Sequence, residues 1–369
     1  TPTASQRDTQ RMSERVYIIA EAGVNHNGDL ERALGMVDAA AMAGSDAVKF
    51  QTFHPEALVT ADAPQAHYQI RNDGDYGSQL AMLQRLVLGP SEHLALMARC
   101  AEHGIDFLSS PFDPASADFL IRELKLPRVK LGSGELTNGP LLLQLARADR
   151  ELILSTGMAT LDEVGEALAV LAFGYLRQAE PAGRSDLLDA LRDPRASEVL
   201  KRRVTLLHCT SEYPCPLDQV NLRAMDSLAN RFGLAVGYSD HTLGIQVSVA
   251  AAARGACVLE KHFTLDRRLP GPDHAASLEP GELAALVHAV REVSQALGQA
   301  EKVPAAAETG NAAVARKSLV AARAISAGEP FSSDNLTAKR PGIGRSPMDC
   351  WDLFGTCASR DYAADEAIE

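Results

Sequence analysis

Residues 257–274 read CVLEKHFTLDRRLPGPDH. Cys257, Val258 and Leu259 open a run that belongs in a core, yet it closes on Glu260, Lys261, His262, Asp266, Arg267, Arg268, Asp273 and His274. A buried strand that ends among ionisable groups fits the C-terminal rim of a parallel barrel, where strand ends and the loops after them build the active-site face. Seven further runs have the same form: VYIIAEAG (16–23), AVKFQTF (47–53), FLSSPF (107–112), VKLGSGE (129–135), LILSTGM (152–158), VTLLHCT (204–210) and LAVGYSDH (234–241). Amphipathic stretches such as LERALGMVDAAAMAG (30–44) and TLGIQVSVAAAARGA (242–256) separate them. Alternating strand and helix patterns predict a buried parallel sheet. Eight βα units favour a (β/α)8 TIM barrel over an open doubly wound sheet, and 16–298 matches the roughly 250 residues of that fold.

The rest of the chain bounds what such a barrel can serve. Hydrophobic residues make up 46% and charged residues 23%, and Lys+Arg 36 against Asp+Glu 48 gives a net charge of −12. That balance argues against a nucleic-acid or anionic-membrane surface, while leaving room for a local basic pocket that holds a phosphorylated metabolite. No apolar run approaches the roughly 18–20 residues that span a bilayer. The start, TPTASQRDTQRMSER, is polar and has no apolar signal-peptide core, so residues 1–15 are expected to be a disordered tail of a cytoplasmic protein. The six cysteines form no CxxC pair and are expected to be reduced.

Two insertions sort by which strand end they follow. Residues 54–90 come after the second strand, so they are expected on the catalytic face as a lid carrying Tyr68, Asn72 and Gln79. Residues 174–203 precede the sixth strand and are expected on the opposite face, with no catalytic role. From 299 to 314 the sequence becomes small and Ala-rich, a linker, and 315–369 forms a second domain. At about 55 residues that domain is near the lower limit for a self-sufficient core and is expected to pack on something larger.

The polar residues at or just past strand ends are Glu21, Lys49, Gln51, Ser109, Ser110, Lys130, Ser133, Glu135, Ser155, His208, Tyr213, His241, Glu260 and His262. One such residue means little, but eight polar ends point to one shared site. His241 and His262 end adjacent strands and could bind one divalent ion, leaving coordination positions for water and substrate, or they could be separate hydrogen-bonded histidines. Lys130 beside Gly132, Ser133 and Gly134, with Ser155 and Thr156 on the next strand, offers an ammonium, hydroxyls and closely approachable backbone N–H groups to a phosphate. The rival reading of Lys130 is a Schiff-base nucleophile. Glu21 is a candidate acid, base or orienting carboxylate. NGD at 27–29 is accounted for by helix capping from Asn27 or Asp29.

Taken in order, AEAGVNHNGD, VKFQTF, SSPFD, KLGSGE, LSTGMAT, LLHCTSEYP, GYSDHT, EKHFTLD, GPDHAASLEP, ARKSLVA and LTAKRPG resemble the sialic acid synthase family of bacterial nonulosonate synthases, from about 16 to 369. The resemblance implies a (β/α)8 barrel joined to a small antifreeze-like (SAF) domain, in a homodimer whose SAF domain covers the partner's barrel. It implies condensation of phosphoenolpyruvate with the open-chain aldehyde of an N-acetylated amino sugar, release of phosphate, and a divalent metal, Mn2+ or Mg2+. Carried over by position, His241 and His262 are the implied metal ligands, and Lys49, Lys130, Ser133, Ser155 and Ser211 the phosphoenolpyruvate contacts. Ser211 departs from an Asn found in some members. Glu21, Gln51, Asn72, Tyr213 and Asp273 are the implied sugar-side groups, with Arg340 reaching the sugar from the partner subunit and Glu135 and Glu260 supporting from behind.

The leading expectation for the acceptor is N-acetylmannosamine, giving N-acetylneuraminate. The alternative is 2,4-diacetamido-2,4,6-trideoxymannose, giving legionaminate. Two readings from other classes stand beside it: a metal-free aldolase working through Lys130, and a carbohydrate-binding protein with no chemistry. A binder has no need for convergent Lys, Glu and His groups at so many strand ends.

Overall fold

The computed structural model describes residues 15–73 and 77–369, apart from the side chains of Tyr68 and Asp73. The expected N-terminal tail, Arg15 excepted, and the expected lid contact from Tyr68 lie outside the described residues. Two compact units divide at Gly298 and Gln299.

In the first unit eight strands run in chain order: β1 (Tyr17–Gly23), β2 (Ala47–Thr52), β3 (Asp106–Pro111), β4 (Arg128–Leu131), β5 (Glu151–Ser155), β6 (Val204–His208), β7 (Ala235–Asp240) and β8 (Val258–His262). All ladders are parallel and the order is β3-β2-β1-β8-β7-β6-β5-β4. Because β1 pairs with both β2 and β8, the first and last strands meet; an open doubly wound sheet has no such pairing. β3 and β4 lie side by side and bring the barrel to near closure. Helices cover the outside, for example Leu30–Met42, Pro90–His103, Leu161–Leu176 and Pro280–Leu297. Asp29 caps the first of these through the Arg32 N–H, so the NGD segment serves the helix start as expected. Gly237 on β7 is required by close approach, since an added Cβ would come 2.3 Å from the Val258 carbonyl oxygen.

Alternation along the strands divides the core in two. Tyr17, Ile19, Ala47, Leu108, Ile153, Leu207 and Val258 form one buried cluster inside the barrel. Their neighbours Ile18, Val48, Phe107, Leu152, Leu154, Leu206 and Leu259 belong to the larger cluster between strands and helices. Side chains two residues apart share a face of a strand, and this parity decides which polar residues reach the interior.

The insertion 174–203 folds as helices Arg184–Arg192 and Pro194–Arg203, the first laid along Leu161–Leu176. Its ends keep to the opposite face as expected, where Arg147 pairs with Glu180 and Lys201, Arg202 and Arg203 lie beside the strand starts at Arg128, Glu151 and Ala235. Its first helix does not: Leu187 and Leu188 share a small cavity with Leu136 and Thr137 from the loop after β4, and Arg184 pairs with Glu166, so that helix lies on the barrel's flank. Burial of its apolar stripe against a neighbouring helix sets that place.

The second unit holds a small cluster of Leu319, Ala321, Ile325, Phe331, Leu336, Leu353, Ala358, Tyr362 and Ile368. An antiparallel pair, β9 (Ser318–Ala321) and β10 (Leu336–Lys339), runs through it. The stretch read as a linker is partly ordered: Thr309–Ala315 is a helical turn, in keeping with the helix propensity of alanine, and the Gly342 N–H donates to the Ala313 carbonyl.

Candidate active site

Two residues beyond the last inner apolar residue of six strands, the same barrel face becomes polar or soft: Ile19 is followed by Glu21, Ala47 by Lys49, Leu108 by Ser110, Ile153 by Ser155, Leu207 by Cys209 and Val258 by Glu260. The apolar layer is thus the floor and the next layer the reactive surface. Above it opens a cavity of about 650 Å³, lined among others by Glu21, Lys49, Gln51, Lys130, Ser133, Glu135, Ser155, Ser211, Tyr213, His241, Glu260, His262 and Asp273. Of the barrel residues given metal, phosphoenolpyruvate, sugar or supporting roles by the resemblance, all but Asn72 line it. Ser109 and His208, also picked as strand-end groups, face outward: Ser109 Oγ bonds Thr52 Oγ1 at 2.6 Å and His208 Nε2 bonds the Val220 carbonyl at 2.8 Å. Each stands one residue out of phase with the interior face.

The floor carries two buried lysines against two buried glutamates. Lys49 Nζ lies 2.6 Å from Glu21 Oε2, 3.7 Å from Glu260 Oε2 and 3.2 Å from Ser110 Oγ. Lys130 Nζ lies 3.2 Å from Glu260 Oε1, which also accepts from Ser239 Oγ at 2.8 Å. Register brings this about, since Glu21 sits beside Lys49 on one side and His262 on the other. Burial pushes the Glu21 carboxyl up to about 7 against the pull of Lys49. Burial acts on Glu260 in the same sense, but Lys130 and Lys49 together overcome it and hold that carboxyl well below the usual range. The two acids are therefore in different states near neutrality: Glu260 is a fixed anion, and Glu21 can carry or release a proton.

His241 and His262 stand with ring centroids 5.6 Å apart, and Tyr213 stacks on His241 at 4.1 Å. His241 Nδ1 donates to the Thr210 carbonyl at 2.6 Å, which leaves Nε2, 3.2 Å from Ser239 Oγ, as the acceptor nitrogen. His262 Nδ1 is buried without a hydrogen-bond partner and lies 3.7 Å from Asp273 Oδ2. Burial lowers both imidazoles, His241 to about 4, and for His262 the neighbouring His241 and Lys49 add to it. Two neutral rings, one with an orphaned nitrogen, fit a divalent ion with open positions. Among the described residues no cluster of three or more His, Cys, Asp or Glu is arranged around a common metal point, so the protein would supply two ligands and leave the rest to water and substrate.

On the side of β4, β5 and β6, Lys130, Ser133, Ser155 and Ser211 line the cavity. The Gly157 N–H donates to Ser133 Oγ at 3.0 Å. An added Cβ at Gly157 would lie 2.5 Å from Ser211 Oγ and 2.7 Å from Ser133 Oγ, so only glycine fits beneath the two hydroxyls. Glu135 accepts from Asn138 Nδ2 at 2.7 Å at the edge of this region.

On the side of β1, β2 and β3 lies the lid. Leu58, Val59, Met82, Leu83 and Leu86 form its apolar wall, with His67, Gln69 and Gln79 as polar groups. Gln51 Nε2 is 3.5 Å from Glu21 Oε1. Asn72 is a staple: its amide donates to the Pro272 carbonyl at 2.8 Å and to the Tyr213 carbonyl at 3.4 Å, tying the lid to the loops after β8 and β6. Arg340 belongs to the second unit, where its Nε donates to the Ala315 carbonyl at 2.9 Å.

Sequence reasoning missed Ser239, Gly157 and Cys209. Ser239 was marked by parity, two residues before His241 on the same strand face; Gly157 and Cys209 carry no signal until the loops after β4, β5 and β6 are seen to meet.

The family model described as NeuB family matches residues 36–302, and an SAF domain model matches 316–369. The chain is 45% identical to the N,N'-diacetyllegionaminic acid synthase of Campylobacter jejuni over 96% of its own length and 99% of that protein's. With the N,N'-diacetyllegionaminic acid synthase of Legionella pneumophila it shares 42% over 95% and 93%. Among solved structures, the N-acetylneuraminic acid (sialic acid) synthetase of Leptospira borgpetersenii superposes with TM-score 0.66 at 32% identity, covering 80% of this chain and 90% of that one. An eight-stranded barrel with these strand ends, joined to an SAF domain, is a nonulosonate synthase: the chain belongs to the NeuB, or sialic acid synthase, family of phosphoenolpyruvate-dependent enzymes that form carbon–carbon bonds.

Proposed function

We propose that the chain condenses phosphoenolpyruvate with the open-chain form of 2,4-diacetamido-2,4,6-trideoxymannose, yielding legionaminate and phosphate. The observation that carries the acceptor is near-full-length identity of 45% and 42% to two legionaminic acid synthases, against 32% to a sialic acid synthetase. This acceptor replaces N-acetylmannosamine, the leading expectation from the sequence. One feature of the cavity supports the choice: its lid wall is apolar, suited to methyl groups.

In this reading the phosphate of phosphoenolpyruvate rests on Lys130 and the hydroxyls of Ser133, Ser155 and Ser211, which holds C3 toward the acceptor aldehyde in a near-attack pose. His241 Nε2 and His262 Nδ1 would hold the divalent cation, Mn2+ or Mg2+, which supplies Lewis-acid polarisation of the aldehyde oxygen when bound. C3 attacks the aldehyde carbon, the aldehyde oxygen takes the proton carried by Glu21 and becomes a hydroxyl, and C2 is left electron-poor. Water adds at C2 and gives its proton to Glu21, whose raised pKa suits a group that must accept and later return one. The resulting hemiketal phosphate then breaks its C2–O(phosphate) bond, the proton of the C2 hydroxyl leaving with the phosphate, and the 2-keto acid remains. Lys49 keeps Glu21 in place, and Glu260 does the same for Lys130. Gln51, Tyr213 and Asp273 are assigned to the acceptor's hydroxyl and acetamido groups, Asn72 to holding the lid over them, and Arg340 of the partner subunit to the N-acetyl group across a homodimer.

The test is phosphate release with the two acceptors side by side. A group difference read by a shaped pocket is worth roughly 10- to 200-fold, so kcat/KM is expected to favour the diacetamido sugar by at least about tenfold. Equal or better turnover of N-acetylmannosamine would overturn the acceptor assignment while leaving the condensation intact.

A further inference from the structure

Cys209 lies just past β6, two residues beyond Leu207 of the inner cluster, and so shares the interior face of the barrel. It is a free thiol, 4% exposed, and sits behind the cavity surface. Its Sγ is 3.2 Å from Ser133 Oγ. The same oxygen receives the Gly157 N–H at 3.0 Å. A third observation ties these groups into one assembly: a Cβ built on Gly157 would lie 2.5 Å from Ser211 Oγ, 2.7 Å from Ser133 Oγ and 3.0 Å from Cys209 Sγ, so all three side chains pack against the Cα of one glycine.

A serine hydroxyl has two acceptor lone pairs and one proton. With the Gly157 N–H on one lone pair and the Cys209 S–H on the other, Ser133 has only its proton left to offer, and Ser133 lines the cavity. The reverse arrangement, Ser133 O–H donating to sulfur, keeps that proton from an anion. A hydrogen bond from a hydroxyl to a charged oxygen is stronger than one to a neutral sulfur, so an arriving phosphate selects the first arrangement. We infer that Cys209 is a positioning residue of the phosphate cradle: its thiol turns the Ser133 proton toward the phosphate of phosphoenolpyruvate. The inference rests on the placement of that phosphate given above.

The experiment is calorimetric titration of the full-length protein with phosphoenolpyruvate in the absence of acceptor, repeated with inorganic phosphate, together with steady-state kinetics. Loss of one weak hydrogen bond predicts that Cys209→Ala weakens both ligands roughly fivefold, raises KM for phosphoenolpyruvate to match, and leaves KM for the acceptor unchanged. Cys209→Ser, which restores a donor, recovers the loss. In a Ser133→Ala background Cys209→Ala has no further effect, because the thiol acts through that hydroxyl. Equal losses in both backgrounds, no loss at all, or failure of the serine variant to recover binding would each overturn the inference. Should the alanine variant not fold, Cys209→Val, which fills the space without a donor, is read in the same way. If Ser133→Ala itself leaves phosphoenolpyruvate binding unchanged, the placement of the phosphate fails and Cys209 falls with it; if Ser133→Ala weakens binding and Cys209→Ala does not, the inference alone fails.

Discussion

Lys130 faces Glu260 at 3.2 Å, and that pairing decides what the lysine can do. A Schiff-base lysine needs its Nζ free to attack a carbonyl, whereas the Nζ of Lys130 is held against the Glu260 carboxylate. The ion pair therefore fits a phosphate anchor and opposes the aldolase alternative. Two measurements check this together: thorough chelation is expected to abolish activity, with recovery on adding Mn2+ or Mg2+, and borohydride in the presence of a carbonyl substrate is expected to leave the enzyme active. Activity that survives chelation, with borohydride inactivation, would return Lys130 to the aldolase reading. At this scale much was legible, because ionisable residues at the ends of Val-, Ile- and Leu-rich runs stand out against their surroundings. What the residue types alone did not tell was facing. Ser109 and Ser110 are identical letters, yet one packs outward on Thr52 and the other meets Lys49. Only the phase of alternation, anchored on the inner cluster, separates them.

Between neighbouring elements the same alternation turns Lys261 away from the cavity that Glu260 and His262 line. Lys261 Nζ reaches Asp240 Oδ2 at 3.0 Å, both side chains almost wholly buried, with Asp240 also accepting from the Thr242 N–H, Thr242 Oγ1 and Ser248 Oγ. This pair joins β8 to β7 and to the helix Gln246–Ala253. It sits directly behind the segment that carries His241. Removing one partner of a buried ion pair leaves the other uncompensated, at a cost of about 3–5 kcal/mol. Lys261→Met is expected at the lower end of that range, about 3 kcal/mol, because three donors still serve Asp240. Denaturant unfolding checks it, and a loss below about 1 kcal/mol would mean that the hydroxyl and backbone donors suffice. From the sequence, EKH is three ionisable groups in a row. The fold divides them into two that face the site and one that braces it. The flank helix of 174–203 and the helical turn inside the linker were illegible for a related reason: their positions follow from which apolar stripe finds a partner, and no local signal names the partner.

For the molecule as a whole, the second unit poses the question of what its outer surface meets. Its own core is small, and Ile343, Met348 and Trp351 remain 79%, 73% and 68% exposed close in sequence to Arg340. Large exposed apolar side chains close in sequence to one arginine match the composition of an interface core. Arg340 is held by one nitrogen, Nε to the Ala315 carbonyl, which leaves the guanidinium fork available to a carbonyl or carboxylate. The proposed homodimer, with Arg340 closing the acceptor site of the partner subunit, makes a prediction that a surface-turn role does not. Arg340→Ala alone should impair acceptor use far more than phosphoenolpyruvate binding, since the residues proposed to hold the phosphate, Lys130, Ser133, Ser155 and Ser211, belong to the barrel. His262→Ala alone should be inactive. When the two variants are mixed and allowed to exchange subunits, half of the sites in each mixed dimer lack both changes and half carry both, so activity should return in part. Mixing that demonstrably yields hybrid dimers of two folded variants, with no recovered activity, would exclude a shared site and return Arg340 to the role of a solvated turn residue.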